Sequence, residues 1–167
     1  YAGLLPERRP GDHLAGYGGS VMITFRKIDK DNFYPLLELD PGDEGKFVAS
    51  TAISLAEAWL YYEAHNTHPF ALYEGEKLVG FMMAHEDPGR RALFLWRLAI
   101  AKEHQGKGYG TEALRKFIAL ARASGKYACV VIGYEEGNQR AGHIYEKLGF
   151  RPVGKEADGE TILRLDL

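Results

Sequence analysis

The sequence has little of three features that mark large classes of protein. It contains a single cysteine, Cys129, so the chain can form no internal disulfide, and we interpret this residue as a buried strand residue rather than a nucleophile. No run of lysine and arginine exceeds two residues, and the formal net charge of −2 excludes a strongly basic nucleic-acid footprint. The apolar runs have strand length, far short of the ~20 residues of a membrane-spanning helix. We therefore expect neither a nucleic-acid nor a membrane partner.

Length and composition fit one globular domain. The chain has 167 residues, 46% of them hydrophobic, which is enough for one core. Residues 1–21 are rich in Gly, Pro and Arg and lack periodicity, so we interpret them as a non-native or accessory extension before Met22. The domain is expected to span residues 22–167. No secretory apolar segment is visible, so a cytoplasmic location is expected.

A glycine-rich turn between a buried strand and a helix is the most informative stretch. The apolar residues 93–101 predict a strand, three glycines follow at alternate positions, and a helix is expected from Thr111. Glycine admits backbone conformations that a β-carbon forbids. It also leaves amide N–H groups uncovered at the positive end of the helix dipole. The pattern predicts a phosphate-binding turn.

Spacing excludes two phosphate-binding templates. The dinucleotide pattern G-x-G-x-x-G needs a third glycine where Thr111 stands, and an acidic residue about 20 positions later that residues 126–131 lack. The P-loop string G-x-x-x-x-G-K-[ST] does not occur. The string from Gln105 to Gly110 instead resembles the cofactor motif of the GNAT superfamily of acyl-CoA-dependent N-acetyltransferases. The alternative is an ordinary glycine-rich turn before a helix.

A second motif follows about thirty residues later. Residues 138–150 resemble the superfamily pattern Asn-x-x-Ala-x-x-x-Tyr-x-x-x-Gly-Phe. Alone, this string describes an amphipathic core helix that stops at a glycine. Both motifs in this order make the resemblance specific at the cofactor end, and it extends over residues 23–167.

The periodicities predict an α/β (α+β) fold in the order β-α-α-β-β-β-α-β-α-β-β. This order indicates a mixed, mostly antiparallel sheet of about seven strands with helices on both faces. It is also the element order of the GNAT fold, and the resemblance implies that the fourth and fifth strands splay apart to admit the cofactor. Ser54 and Glu57 form a capping-box pattern that predicts the start of the second helix. Residues 45–51 are ambiguous.

The resemblance implies acetyl-CoA as the cosubstrate, and no metal is assigned. Its diphosphate is expected on the amides of the glycine turn, and its pantetheine arm on exposed strand backbone and on Asn138. The expected cofactor-binding residues are Leu98, Ala99, Ile100, Gln105, Gly106, Lys107, Gly108, Tyr109, Gly110, Thr111, Asn138 and Tyr145.

Acetyl transfer needs a neutral amine and a stabilised leaving thiolate. Only about one alkyl amine in a few thousand is neutral at pH 7, so deprotonation has to be assisted. Tyr145 matches the superfamily position that donates a proton to the sulfur; the alternative is a tyrosine packed between helix and sheet. Glu135 and Glu136, just past the fifth strand, are candidate bases, acting directly or through water, unless they are solvated loop carboxylates.

The N-terminal half resembles bacterial diamine and polyamine acetyltransferases, at residues 47–51, 54–58 and 73–81 and at Arg97. Acidic residues are concentrated in the segment expected to flank the acceptor, namely Glu38, Asp40, Asp43, Glu44, Glu57 and Glu63. Polycations prefer clefts lined by carboxylates, although a solvated acidic face is the alternative. The expected substrate is therefore a small-molecule primary amine such as spermidine or spermine.

Other functions stay open. One is acetylation of a peptide or protein, at its N-terminus or at a lysine; another is a catalytically silent CoA-binding module. Since many members of the superfamily are dimers, the resemblance also allows a homodimer.

Overall fold

One mixed sheet of seven strands organises the domain in the structure, a computed structural model that describes residues 22–42, 49–157 and 159–167. The proposed extension 1–21 and most of the ambiguous segment lie outside the described residues. The strands are β1 (Ile23–Lys27), β2 (Thr67–Glu74), β3 (Lys77–Asp87), β4 (Ala92–Ile100), β5 (Cys129–Tyr134), β6 (Arg151–Lys155) and β7 (Thr161–Asp166). The helices are α1 (Phe33–Leu37), α2 (Thr51–Leu60), α3 (Tyr109–Ser124) and α4 (Gln139–Lys147).

The sheet has the order β1-β2-β3-β4-β5-β7-β6. Every neighbouring pair is antiparallel except β4 and β5, which run parallel. The parallel pair needs a long crossover, which α3 supplies. The predicted fold class and element order are confirmed.

Helices cover both faces of the sheet, because strand side chains alternate between the two faces. The larger core lies under α3 and α4 and includes Leu93 and Leu95 of β4, Phe117 of α3, and Ile132 of β5. The smaller core lies under α1 and α2 and includes Leu36, Phe81 and Met83, with Trp96 packed against it. Cys129 is buried, as predicted.

The start of α2 differs from the prediction. Ser50 is the N-cap, and its Oγ accepts a hydrogen bond from the Ile53 amide at 3.3 Å. Ser54 lies inside the helix and donates its hydroxyl to the Ser50 carbonyl at 3.1 Å. The capping-box prediction was wrong because Ser50, an equally good cap, lies one turn upstream. Within the described ranges, no helix combines the length and the apolar character needed to cross a bilayer.

A buried histidine lies at the end of the sheet where β4 begins. His68 of β2 is 5% exposed, and its Nε2 lies 2.7 Å from Glu86 Oε1 on β3. Burial lowers the pKa of His68, and the contact with Glu86 opposes that shift without cancelling it. The folded protein therefore holds this imidazole neutral under conditions in which the unfolded chain would protonate it.

Because the folded protein keeps His68 neutral, we predict that the protein loses stability in acid. Below the ordinary histidine pKa of about 6.5 the unfolded chain binds the extra proton more readily, so the free energy of unfolding decreases as the pH falls. We expect His68→Gln to lose less stability than wild type between pH 7.5 and 5, measured by urea unfolding. His143→Gln, at an exposed position on α4, is the control and should behave as wild type. An equal acid loss in His68→Gln and wild type would contradict the assignment.

Candidate active site

A gap opens between β4 and β5 in the middle of the sheet. The two strands pair over only four positions, from Ala92 opposite Cys129 to Leu95 opposite Ile132. Beyond that point β4 continues to Ile100 while still paired with β3 on its other edge, and β5 keeps only its pairing with β7. The backbone edge of β4 facing β5 is therefore free of strand partners over residues 96–100. The splay implied by the resemblance is present.

A bulge in β4 lies where the two strands separate. Met83 is opposite Arg97 and Ala84 is opposite Leu95, so Trp96 is an extra residue without a cross-strand partner. A bulge bends a strand and increases its twist. The Trp96 ring stacks on His85 at a centroid distance of 4.1 Å and an interplanar angle of 5°, which holds the bulge against β3. The Arg97 guanidinium donates to the Trp96 carbonyl at 2.8 Å.

A cleft of about 610 Å³ occupies the gap. It is lined by most of the residues expected to bind the cofactor or to act as a base: Leu98, Ala99, Ile100, Gln105, Gly106, Gly108, Tyr109, Gly110, Thr111, Glu135, Asn138 and Tyr145. Trp96, Arg97, His104, Tyr134 and Glu160 also line it. Lys107 and Glu136 belong to the prediction but do not line the cleft.

The glycine turn leads into α3 two residues earlier than predicted. Gly106 and Gly108 have φ angles of +76° and +84°, and a β-carbon at either position would meet no atom within 4 Å. Gly108 is the N-cap of α3, and the first intrahelical hydrogen bond runs from the Glu112 amide to the Gly108 carbonyl at 3.0 Å. The amides of residues 109–111 precede that bond, so the helix offers them no carbonyl. Uncovered amides at this helix start can bind a phosphate group.

The long side chains of the turn hold the loop in place. Gln105 Nε2 donates to the carbonyls of Pro41 at 2.7 Å and Ile100 at 3.0 Å, which ties the turn to the end of β4. Lys107 Nζ donates to the Glu103 carbonyl at 3.0 Å, away from the cleft. In this conformation any phosphate contact of the turn would therefore come from its backbone.

Tyr145 of α4 projects into the cleft from the larger core. It is 9% exposed, and its ring makes edge contacts with Tyr134 and Phe150, each at 6.1 Å between centroids. Its hydroxyl has no hydrogen-bond partner among the described residues. Burial raises the pKa of Tyr145 to about 12. The side chain is therefore a protonated donor throughout the neutral range.

The start of α4 is placed by a cap and a close helix–strand contact. Asn138 is the N-cap of α4, and its Oδ1 accepts from the Ala141 amide at 3.2 Å, which leaves the side-chain NH₂ for another partner. Gly142 packs on the ring of Tyr134, since a β-carbon there would lie 2.8 Å from Tyr134 Cζ. The glycine thus lets α4 approach β5 and brings Tyr145 to the gap.

The two glutamates after β5 are placed differently. Glu135 lines the cleft. Glu136 is 84% exposed, and its carboxylate lies 4.0 Å from Lys155 Nζ on β6. Of these two candidate bases, only Glu135 therefore lines the cleft.

Arg97 and Glu160 are cleft residues that the two motifs did not supply. Arg97 Nη2 lies 3.1 Å from Glu57 Oε2 of α2, so this member of the expected acidic segment is paired with a cation. Asp43 and Glu44, of the same segment, lie outside the described residues. Glu160 precedes β7 and reaches across to Gly133 of β5. The available signal was Gly133 itself, since a glycine inside a buried strand often marks a close approach.

Comparisons with known proteins point to one family. The model of the acetyltransferase (GNAT) family matches residues 24–150. A spermine/spermidine N(1)-acetyltransferase of Bacillus subtilis (strain 168) is 28% identical over 155 residues, which cover 88% of this chain and 100% of the relative.

Two solved structures share the fold. A spermidine N-acetyltransferase from Vibrio cholerae, in a dodecameric structure, gives a TM-score of 0.69 at 15% identity, covering 86% of this chain and 93% of that one. The ribosomal L7/L12 alpha-N-protein acetyltransferase RimL, in complex with coenzyme A, gives 0.73 at 13% identity, covering 89% and 96%.

Because the diphosphate of coenzyme A is expected on the amides of the glycine turn, we predict that Gly108→Val specifically weakens coenzyme A binding. A β-branched residue at φ +84° is strained by ~1–2 kcal/mol and should displace the amides at the start of α3. We expect the Kd for coenzyme A, measured by calorimetry, to rise by about tenfold or more. Gly125→Val is the matched control, because Gly125 ends the same helix at φ +63° with no atom within 4 Å of an added β-carbon. Wild-type affinity in Gly108→Val would refute the phosphate site.

Proposed function

The chain belongs to the acetyltransferase (GNAT) family, and from this premise we propose that it acetylates a primary amine of a polyamine such as spermidine or spermine. Acetyl-CoA is the cosubstrate, and the chain is an N-acetyltransferase. The amine attacks directly in a ternary complex. The observation that carries the polyamine proposal is the similarity to a spermine/spermidine acetyltransferase over that relative's entire length.

The cleft fits acetyl-CoA at both of its ends. The uncovered amides of residues 109–111 suit a diphosphate, and the unpaired edge of β4 suits the amides of a pantetheine arm. A strand rises about 3.3 Å per residue, so the five steps from Ile100 to Leu95 span about 17 Å. That length separates the phosphate end from the point where β4 and β5 join. When bound, acetyl-CoA supplies an acetyl group activated as a thioester.

Tyr145 is proposed to stabilise the leaving sulfur as a hydrogen-bond donor. Its pKa of about 12 keeps the hydroxyl protonated at every pH at which the enzyme would work. Burial raises the pKa of this hydroxyl above the ordinary thiol value of about 8.5, so complete transfer of its proton to the departing thiolate is unfavourable. The hydroxyl therefore lowers the barrier by donating a hydrogen bond to developing negative charge, without losing its proton.

Glu135 is the proposed proton acceptor for the amine, directly or through water. It lines the cleft, whereas Glu136 is directed to Lys155. An alkyl ammonium has a pKa of about 10.4, so a carboxylate acts on it most effectively as the proton leaves during attack. We keep Glu136 as the weaker candidate of the original pair.

Removal of the Tyr145 hydroxyl tests its role. Tyr145→Phe should lower kcat about a hundredfold, the usual effect of removing one hydrogen-bond donor to developing charge, with little change in KM for acetyl-CoA. The melting temperature should stay unchanged, because the hydroxyl has no partner among the described residues whose loss could destabilise the fold. Steady-state kinetics and thermal denaturation measure both effects. A decrease in kcat of less than about threefold would make Tyr145 a packing residue.

A panel of amines tests the acceptor. We expect release of free coenzyme A thiol with spermidine and spermine, at a kcat/KM about tenfold or more above that for amino acids and for a ribosomal-protein N-terminal peptide. Turnover of the peptide without polyamine turnover would favour a protein acetyltransferase. Absence of thiol release with every amine, with coenzyme A still bound, would favour a silent binding module. Light scattering on the same preparation tests whether the chain forms the homodimer that the resemblance allows.

A further inference from the structure

Glu160 is a cleft carboxylate that the transfer steps above leave without a role. We propose that it binds the ammonium group of the acceptor where β4 and β5 separate. The proposal rests on the proposed function, because it assumes a cationic acceptor. Glu160 lines the cleft, is partly buried, and precedes β7 in the turn that joins β6 to β7.

The Glu160 carboxylate packs against the backbone of Gly133. A β-carbon added to Gly133 would lie 2.5 Å from Glu160 Oε2, so the carboxylate occupies the space that a side chain on β5 would fill. Gly133 is the residue after Ile132, which makes the last pair with β4. The negative charge therefore lies within one residue of the point where the gap begins.

Glu160 and Tyr145 approach the gap from opposite faces of the sheet. Ile132 and Tyr134 pack with Tyr145 in the core under α3 and α4. Because successive strand side chains alternate, the position between them, Gly133, faces the other side, and so does the carboxylate that covers it. The amine can thus meet the thioester on one face while the sulfur accepts its hydrogen bond on the other.

The nearby charges favour a cation at Glu160. Glu135 adds a second carboxylate to the cleft wall. A carboxylate in a partly buried cleft attracts an ammonium group more strongly than one in bulk water. Glu160 accepts N–H hydrogen bonds from the arriving ammonium and, once its proton is lost, from the neutral amine.

The test compares Glu160→Gln with Glu156→Gln. Both remove one negative charge from the same hairpin, but Glu156 is exposed and does not line the cleft. We expect Glu160→Gln to raise KM for spermidine about tenfold, to weaken spermidine binding to the CoA-saturated protein equally by calorimetry, and to leave the Kd for coenzyme A unchanged. Glu156→Gln should keep wild-type values.

The variant Gly133→Ala tests whether the position of the Glu160 carboxylate matters, because it moves this carboxylate without removing its charge. Gly133 does not have a positive φ, and the atom nearest to the added methyl group is the end of the flexible Glu160 side chain, so the fold should accept alanine while the carboxylate moves. We expect KM for spermidine to rise in Gly133→Ala, and the double variant with Glu160→Gln to show no further rise.

The outcomes distinguish this inference from the proposed function. If wild type acetylates spermidine but Glu160→Gln keeps its KM and its spermidine affinity within twofold, the inference is wrong and the proposed function stands. If wild type prefers another cationic amine, the polyamine acceptor is wrong, and a selective rise of KM for that amine in Glu160→Gln supports the inference. If wild type acetylates only uncharged amines, both are wrong.

Discussion

The site depends on one interruption in the hydrogen bonding of the sheet. β4 and β5 share only four paired positions, and the Trp96 bulge bends β4 where the pairing ends. A complete ladder would consume the backbone groups of residues 96–100 and close the cleft. Because β4 stays paired with β3, the exposed edge remains rigid, so the protein can offer backbone hydrogen bonds to a ligand without unfolding a strand.

The gap connects two chemically different faces. On the side of α3 and α4, the core keeps Tyr145 buried and raises its pKa to about 12, which makes it a neutral donor. On the other side, the Glu160 carboxylate covers Gly133. A thioester held in the gap would then have a donor for its sulfur on one face and a carboxylate for a cationic amine on the other.

The sequence patterns predicted those features that depend on interactions between neighbouring residues. The glycines of residues 106–110 and the motif from Asn138 to Phe150 located part of the cleft wall, because backbone conformation and helix capping depend on neighbouring residues. Prediction failed where several local solutions competed, as at the α2 cap, and where distant residues meet. Glu160 and Gly133 are 27 positions apart in the sequence but close in space. Glu135 and Glu136 are neighbours in the sequence, and their surroundings differ only because β6 lies beside Glu136. Such contacts follow from strand register, which single-sequence periodicity does not specify.

Titration of the ¹⁵N-labelled protein with coenzyme A, followed by NMR, tests the central claim most directly. The account predicts that the amide resonances of residues 106–111 and of residues 98–100 shift together and saturate with one stoichiometric ligand. Gly125, at the other end of α3, should stay unchanged. Saturable binding that leaves the amides of the turn and of β4 unshifted, and moves resonances elsewhere, would contradict the account.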